Sequence, residues 1–78
     1  MTYTELLNLA ENKVIESMNF YKLSSTFEEK LAYKCEAKGI IDMWFAIAVK
    51  HEEYKTKHAD KLNNIIYENI VNEIYEKI

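Results

Sequence analysis

The apolar run at residues 40–49 constrains the fold more than any other feature of this sequence. Asp42 is its one charged side chain, and the whole chain has no proline and a single glycine, Gly39. The run is about half as long as a helix that spans a membrane, and Lys38 and Lys50 flank it. We therefore expect a buried helix here, packed against a small helical core, a partner subunit or another protein.

The length of the chain predicts one domain, residues 1–78, that needs additional stabilisation. A domain of this size buries only about 60 to 65% of the surface that its unfolded chain exposes. Small domains are usually stabilised by disulfides, a metal ion or a partner. Cys35 is the one cysteine, and no His/Cys cluster has the spacing of a zinc site. Association is the remaining means, so we predict a homo-oligomer.

The charged residues indicate which class of partner the chain binds. The formal net charge is −3, and all ten basic residues are lysines. Because phosphate-binding proteins are often basic and use arginine, a nucleotide or nucleic acid is a less favoured partner than another protein. The lone thiol and the absence of a signal sequence predict a cytoplasmic protein with no membrane partner. Lysine without arginine also indicates an AT-rich genome, such as that of a low-GC bacterium or its phage.

The periodicity of apolar residues predicts an all-α fold, a small bundle of three helices completed by oligomerisation. Thr2 and Glu5 form a capping box that begins a helix extending to about residue 22. Apolar residues recur along this helix every three to four positions and form its inward stripe: Tyr3, Leu7, Ala10, Val14, Met18 and Tyr21. A second capping box, Ser25 with Glu28 or Thr26 with Glu29, follows a polar turn.

The second helix is predicted over residues 26–55. Its inward positions are Phe27, Leu31 and Cys35, followed after Gly39 by a second stripe of Ile40, Trp44, Ile47, His51, Tyr54 and His58. A turn near residues 56–60 then separates it from a third helix over residues 60–77. In an alternative arrangement, one long helix extends from residue 26 to the end of the chain and is buried only by assembly.

The third helix carries two neighbouring apolar rows. One consists of Leu62, Ile66, Ile70, Ile74 and Ile78, and the other of Tyr67, Val71 and Tyr75. Two rows are more than one packing neighbour covers. We therefore predict a partner or oligomer interface made of Trp44, Leu62, Ile66, Tyr67, Ile70, Val71, Ile74 and Tyr75.

No spacing of reactive groups predicts catalysis, a metal site or a cofactor. His51 and His58 are two helical turns, about 10 Å, apart, which is too far to hold one metal ion. Cys35 is expected to be a buried, unreactive side chain. A lysine row beside an aromatic ring gives candidate anion or ligand contacts at Lys30, Tyr33, Lys34 and Lys38, although a solvated helix face explains the same pattern.

These features predict a non-catalytic helical interaction module, a homo-oligomeric inhibitor or regulator that binds another macromolecule. The first alternative is an oligomer that binds a small ligand or nucleotide through the lysine row and aromatic residues at a subunit junction. The second is a metal-dependent enzyme in which several chains contribute carboxylates and a histidine, from Glu16, Glu36, Glu53 and His58.

Overall fold

The computed structural model describes residues 1–76 and confirms the all-α prediction for that part of the chain. It contains helices α1 (Tyr3–Leu23), α2 (Phe27–Ala48) and α3 (Thr56–Glu76), with no strand among the described residues. The three helices pack as a small bundle, so the alternative of one long helix from residue 26 is wrong. Ile78, the last member of the predicted apolar row, and residue 77, the predicted end of the third helix, lie outside the described residues.

Side-chain caps begin the first two helices where the sequence predicts them. The Thr2 hydroxyl oxygen accepts a hydrogen bond from the Glu5 amide at 3.1 Å, and the Thr2 amide donates to the Glu5 carboxylate at 3.3 Å. At α2 the Thr26 hydroxyl accepts from the Glu29 amide at 3.2 Å, so Thr26 is the cap of the two candidates. The connection between α1 and α2 is three residues long, which makes the two helices an antiparallel hairpin.

The core lies between one stripe of each helix. The stripe predicted for α1 is confirmed, since all of its members are buried except Leu7, which is partly buried. Helix α2 contributes Ala37, Ile41, Trp44 and Ala48, and α3 contributes Leu62 and Ile66. Alanines in the facing stripes let the two hairpin helices approach closely, and the Trp44 ring fills the space that remains.

The predicted inward face of α2 is wrong before Gly39, whereas after Gly39 the buried Trp44 and the partly buried Ile40 confirm part of it. Phe27, Leu31 and Cys35 are exposed to solvent, and Ile47 is also largely exposed. The residues that face the core are Ala37, Ile41, Trp44 and Ala48, and the two alanines of this column allow close contact with α1. Two adjacent apolar columns satisfy the same periodicity, and packing against α1 selects between them. Helix α2 passes through Gly39 without interruption.

The second helix ends seven residues earlier than predicted, at Ala48. Its last turn tightens through hydrogen bonds that the amides of Lys50 and His51 donate three residues back. Beyond it, the Tyr54 ring packs against Trp44, at 6.0 Å between ring centroids. In a continuous helix these residues would be about 15 Å apart along the axis. The contact between Tyr54 and Trp44 is therefore formed instead of the last two turns of the predicted helix.

The bundle is elongated and exposes more surface than its mass predicts. Its extents are 43 × 20 × 15 Å, and its radius of gyration is 13.4 Å, against about 11.5 Å for a compact domain of this length. The accessible surface is 5608 Å², against about 5,000 Å² for a compact monomer of this mass. In the part of the chain that the structure describes, no helix is both long and apolar enough to cross a bilayer.

Candidate functional site

A groove between α2 and α3 brings together residues from the two sets that the sequence predicted separately. Lys34 and Lys38 form its α2 wall and Tyr67 rises from α3 beside Ile70. The groove has a volume of about 240 Å³, and we call it the α2–α3 groove, lined by Lys34, Lys38, Asn63, Ile66, Tyr67 and Ile70. Two cations thus lie beside an apolar and aromatic surface.

The predicted interface residues divide into buried and exposed members. Trp44, Leu62 and Ile66 lie in the core of the chain itself, so their side chains leave almost no surface for a partner. Ile70 and Val71 are partly buried, whereas Tyr67, Ile74 and Tyr75 are exposed. For these five the interface role stays a prediction.

Lys30 lies outside the α2–α3 groove and holds three helices together. Its ammonium group donates to the Tyr21 carbonyl oxygen at 3.0 Å and lies 3.7 Å from a carboxylate oxygen of Glu73. It also lies 4.6 Å from the centroid of the Tyr21 ring. Burial raises the pKa of Tyr21 to about 12, and a hydrogen bond to the Glu73 carboxylate contributes in the same direction. Lys30 therefore has a structural role.

Tyr33, the aromatic member of the predicted ligand set, lies on a different face from Lys34 and Lys38. Its ring stacks on Phe20 of α1, with centroids 5.3 Å apart and an angle of 20° between the planes. The four candidate ligand contacts therefore do not form one site within a single chain. Lys34 and Lys38 are the two that remain together.

The side of the hairpin that α3 leaves uncovered has an apolar groove that the sequence analysis missed. Met43 and Ile47 of α2 face Leu6 and Leu9 of α1 across a space of about 230 Å³, whose floor includes Trp44. Toward the other end of the hairpin lie the Phe20–Tyr33 stack and Leu23. We call this surface the open hairpin face: Leu6, Leu9, Phe20 and Leu23 of α1 with Tyr33, Ile40, Met43 and Ile47 of α2.

A polar waist crosses the middle of the open hairpin face. The buried Ser17 hydroxyl donates to the Glu36 carboxylate at 2.9 Å. One helical turn before Ser17, the exposed Lys13 side chain lies 3.8 Å from Glu16. The excess of apolar residues at 40–49 was the sequence signal for this face. These residues form two apolar columns along α2, and the core of the chain buries one of them.

The histidines form a contact between the N-terminus and the start of α3. The Tyr3 hydroxyl and Nδ1 of His58 are hydrogen-bonded at 2.7 Å, and His51 lies against the Tyr3 ring at 5.7 Å between centroids. Burial raises the pKa of Tyr3. Among residues 1–76, no three His, Cys, Asp or Glu side chains are close enough to hold a metal ion. Cys35 is exposed, so its predicted burial is wrong.

The two grooves differ in charge and polarity. The α2–α3 groove pairs positive charge with apolar surface, and the open hairpin face offers apolar surface around a waist that carries both signs of charge. No family model matches the sequence, and no curated protein or solved structure is significantly similar to it.

Proposed function

We propose that this chain is a non-catalytic interaction module, a homo-oligomeric regulator or inhibitor that acts by binding another macromolecule. The observation that supports this function most strongly is the α2–α3 groove, where Lys34 and Lys38 lie beside Tyr67 and Ile70. The foreign partner that fits it is an amphipathic helix of another protein, with apolar residues on one side and acidic residues at the flanks.

Exposure of large apolar side chains along α3 supports a protein partner. Tyr67 is 66% exposed, and Ile74, two turns further along, is also more than half exposed. Tyrosine is among the residues that dominate protein interfaces, because it buries a large area with little loss of side-chain freedom. A row of such residues beside a groove therefore supports a surface that binds another protein rather than one that contacts only water.

The two lysines support an acidic partner. Lys34 is partly buried, so its hydrocarbon stem covers apolar surface while its ammonium group stays at the rim of the groove. The rest of the chain carries a net negative charge, which disfavours acidic partners elsewhere on the surface. Charge at the rim of an interface mainly sets the association rate and the choice of partner, whereas the apolar floor supplies the affinity.

The test is site-specific photo-crosslinking in cells that encode the chain, with the crosslinking side chain at position 67. A foreign protein captured this way is then purified and titrated against the wild type and the Lys34→Glu, Lys38→Glu double variant. We expect the double variant to weaken its binding by about tenfold or more. The matched control is Lys50→Glu, Lys57→Glu, which changes the net charge equally at exposed sites outside the groove. Equal weakening by both double variants, or no foreign protein crosslinked at position 67, would overturn the proposal.

The small-ligand alternative has less support. Lys30 is bound to Tyr21 and Glu73, and Tyr33 stacks on Phe20 at another face. We expect no increase in the melting temperature with millimolar nucleotides. An increase that the Lys34→Glu, Lys38→Glu variant abolishes would favour the alternative instead.

A further inference from the structure

We propose that Phe27, Leu31 and Ile74 extend the α2–α3 groove and determine how a partner helix lies in it. The apolar half of that helix packs on these three residues, and its acidic half contacts Lys34 and Lys38. This inference rests on the proposed function and deepens it, because it assigns a sequence pattern to the foreign partner. It also gives a role to Phe27 and Leu31, which periodicity predicted to be inward and which the structure exposes.

The α2 wall of the groove continues beyond Lys34 toward the start of the helix. Residues spaced by three or four positions share one face of a helix. Phe27, Leu31, Lys34 and Lys38 have this spacing within α2, and the two lysines line the groove. Phe27 and Leu31 therefore lie on the same face as the lysines. They are 75% and 46% exposed, so the chain itself leaves much of both side chains uncovered.

The α3 wall has the same spacing. Asn63, Tyr67 and Ile70 line the groove, and Ile74 follows Ile70 by one turn on the same face. Ile74 is 56% exposed. The two walls therefore cover equal lengths of helix, residues 27–38 and 63–74.

An ion pair sets the register of the two walls. Lys30, near the start of α2, lies 3.7 Å from Glu73, near the end of α3, so the helices are antiparallel and these two residues lie at one level. Because each residue advances a helix by about 1.5 Å, Ile74 lies about 3 Å along the axis from Phe27 on one side and Leu31 on the other. These three exposed side chains therefore lie at one end of the groove, and we call them the apolar extension.

The same register orders the chemical groups along the groove. The apolar extension and Ile70 occupy about 9 Å of its length. The basic and polar residues, with one aromatic ring, follow over about another 9 Å: Lys34, Tyr67, Lys38 and Asn63. The whole length is about 20 Å, which equals that of about 13 helical residues. One half of the groove is therefore apolar, and the other half carries the positive charge.

A helix that fits this order has apolar residues in one half and acidic residues in the other. Apolar residues placed over Lys34 and Lys38 would remove water from two ammonium groups and give them no partner. Acidic residues placed over the apolar extension would lose water in the same way. Charge complementarity therefore favours one placement and disfavours the opposite one. The partner that fits is an amphipathic helix of about 13 residues with this division.

The first experiment places the photo-crosslinking side chain at position 31, 63 or 67 in turn, in cells that encode the chain, and identifies the crosslinked peptides by mass spectrometry. We expect all three positions to capture one foreign protein through one helical segment. Residues reached from position 31 should be apolar and lie about nine positions from the acidic residues reached from position 63. Position 9, on the open hairpin face, is the control and should not capture that segment. Capture at position 67 without capture at position 31, or the opposite order of apolar and acidic residues, would overturn the inference.

The second experiment titrates the purified foreign protein against Leu31→Ala. Leu9→Ala is the matched control, because these leucines are 46% and 45% exposed and Leu9 lies outside the α2–α3 groove. We expect Leu31→Ala to weaken binding about tenfold and Leu9→Ala to leave it unchanged. The loss in Leu31→Ala should be the same at low and high salt, whereas the loss in the Lys34→Glu, Lys38→Glu variant should shrink as salt rises.

Ile74→Ala repeats this test from the other wall, and we expect a similar loss of affinity. Circular dichroism should show wild-type helical content in all three alanine variants, because each changes an exposed side chain. Equal affinities of Leu31→Ala, Ile74→Ala and Leu9→Ala would overturn the inference.

The outcomes distinguish this inference from the proposed function. If the protein captured at position 67 depends on Lys34 and Lys38 but not on Leu31 and Ile74, the apolar extension has been assigned wrongly and the binding function stands. If no foreign protein is captured at position 67, the binding function fails and this inference fails with it.

Discussion

Replacing Gly39 with alanine should stabilise the protein. Gly39 lies in the interior of α2, is exposed, and has no positive φ. A Cβ atom added there meets no atom within 4 Å. Alanine therefore fits without strain, restricts the unfolded chain and adds a better helix former. These effects raise the free energy of unfolding by about 0.4 to 1 kcal/mol.

That gain is measurable in a domain of this size. The whole free energy of unfolding for 78 residues is about 4 to 12 kcal/mol, so the substitution adds a sizeable fraction. A gain of 1 kcal/mol raises the melting temperature of a domain of 60 to 100 residues by about 4 to 8 °C. Urea denaturation followed by circular dichroism should show a higher midpoint with an unchanged slope. Variants are compared at one protein concentration, because self-association would make stability depend on concentration.

Ala46→Gly is the matched control. Ala46 is also exposed on α2, two helical turns after Gly39. Glycine there should lower the free energy of unfolding by about 1 kcal/mol, and the double variant should return close to the wild type because such distant effects add. A loss of stability in Gly39→Ala, with the expected loss in Ala46→Gly, would refute the reasoning. It would mean that another chain occupies the space beside Gly39.

Three further predictions test the core, the ionisation of a buried tyrosine and the exposed thiol. Leu62→Ala should lower the free energy of unfolding, measured by urea denaturation, by about 3 kcal/mol, because Leu62 is fully buried. Ile74→Ala, at an exposed site, should change it by about 0.5 kcal/mol or less. Similar losses in the two variants would contradict the assigned core. The pKa of Tyr21 is about 12 in the folded chain, against an ordinary value of 10. The protonated Tyr21 hydroxyl therefore contributes its full stabilisation below pH 10, and this stabilisation is lost as pH rises toward 12. Tyr21→Phe should make the denaturation midpoint less dependent on pH in that range, and an unchanged dependence would refute the assignment. Cys35 should react with a thiol reagent as fast in buffer as in denaturant, and reaction only after unfolding would contradict its exposure.

Local signals made the beginnings of the first two helices predictable. The capping residues Thr2 and Thr26 satisfy amides three residues further on, so their effect needs no tertiary context. The stripe of α1 was predictable because its other face is mostly polar, which left one orientation that buries apolar surface. The third helix lacked such a signal: the turn predicted near residues 56–60 is wrong, because α3 already begins at Thr56.

Tertiary contacts decided what the sequence could not. Helix α2 has apolar residues on two columns, and only its contact with the small residues of α1 shows that Ala37 is inward and Cys35 outward. The end of α2 depends on Tyr54 folding back onto Trp44, a contact that periodicity does not encode. The open hairpin face was not predicted for the same reason, since Ile47 was assigned to the inward stripe. Helix geometry alone separates Tyr33 from Lys34, because adjacent residues of a helix do not share a face.

The polar cluster of Tyr21, Lys30 and Glu73 has a consequence for the order in which the bundle opens. No residue of α3 beyond Ile66, as far as residue 76, is fully buried, so contacts to this cluster and the partly buried Ile70 hold its second half. Amide hydrogens there should exchange with solvent through local opening, at a lower free energy than those of the hairpin. A protein seated in the α2–α3 groove would slow that exchange, so part of its binding free energy would order the end of α3. Alkaline pH, which ionises Tyr21, would loosen the same segment before the rest of the molecule unfolds.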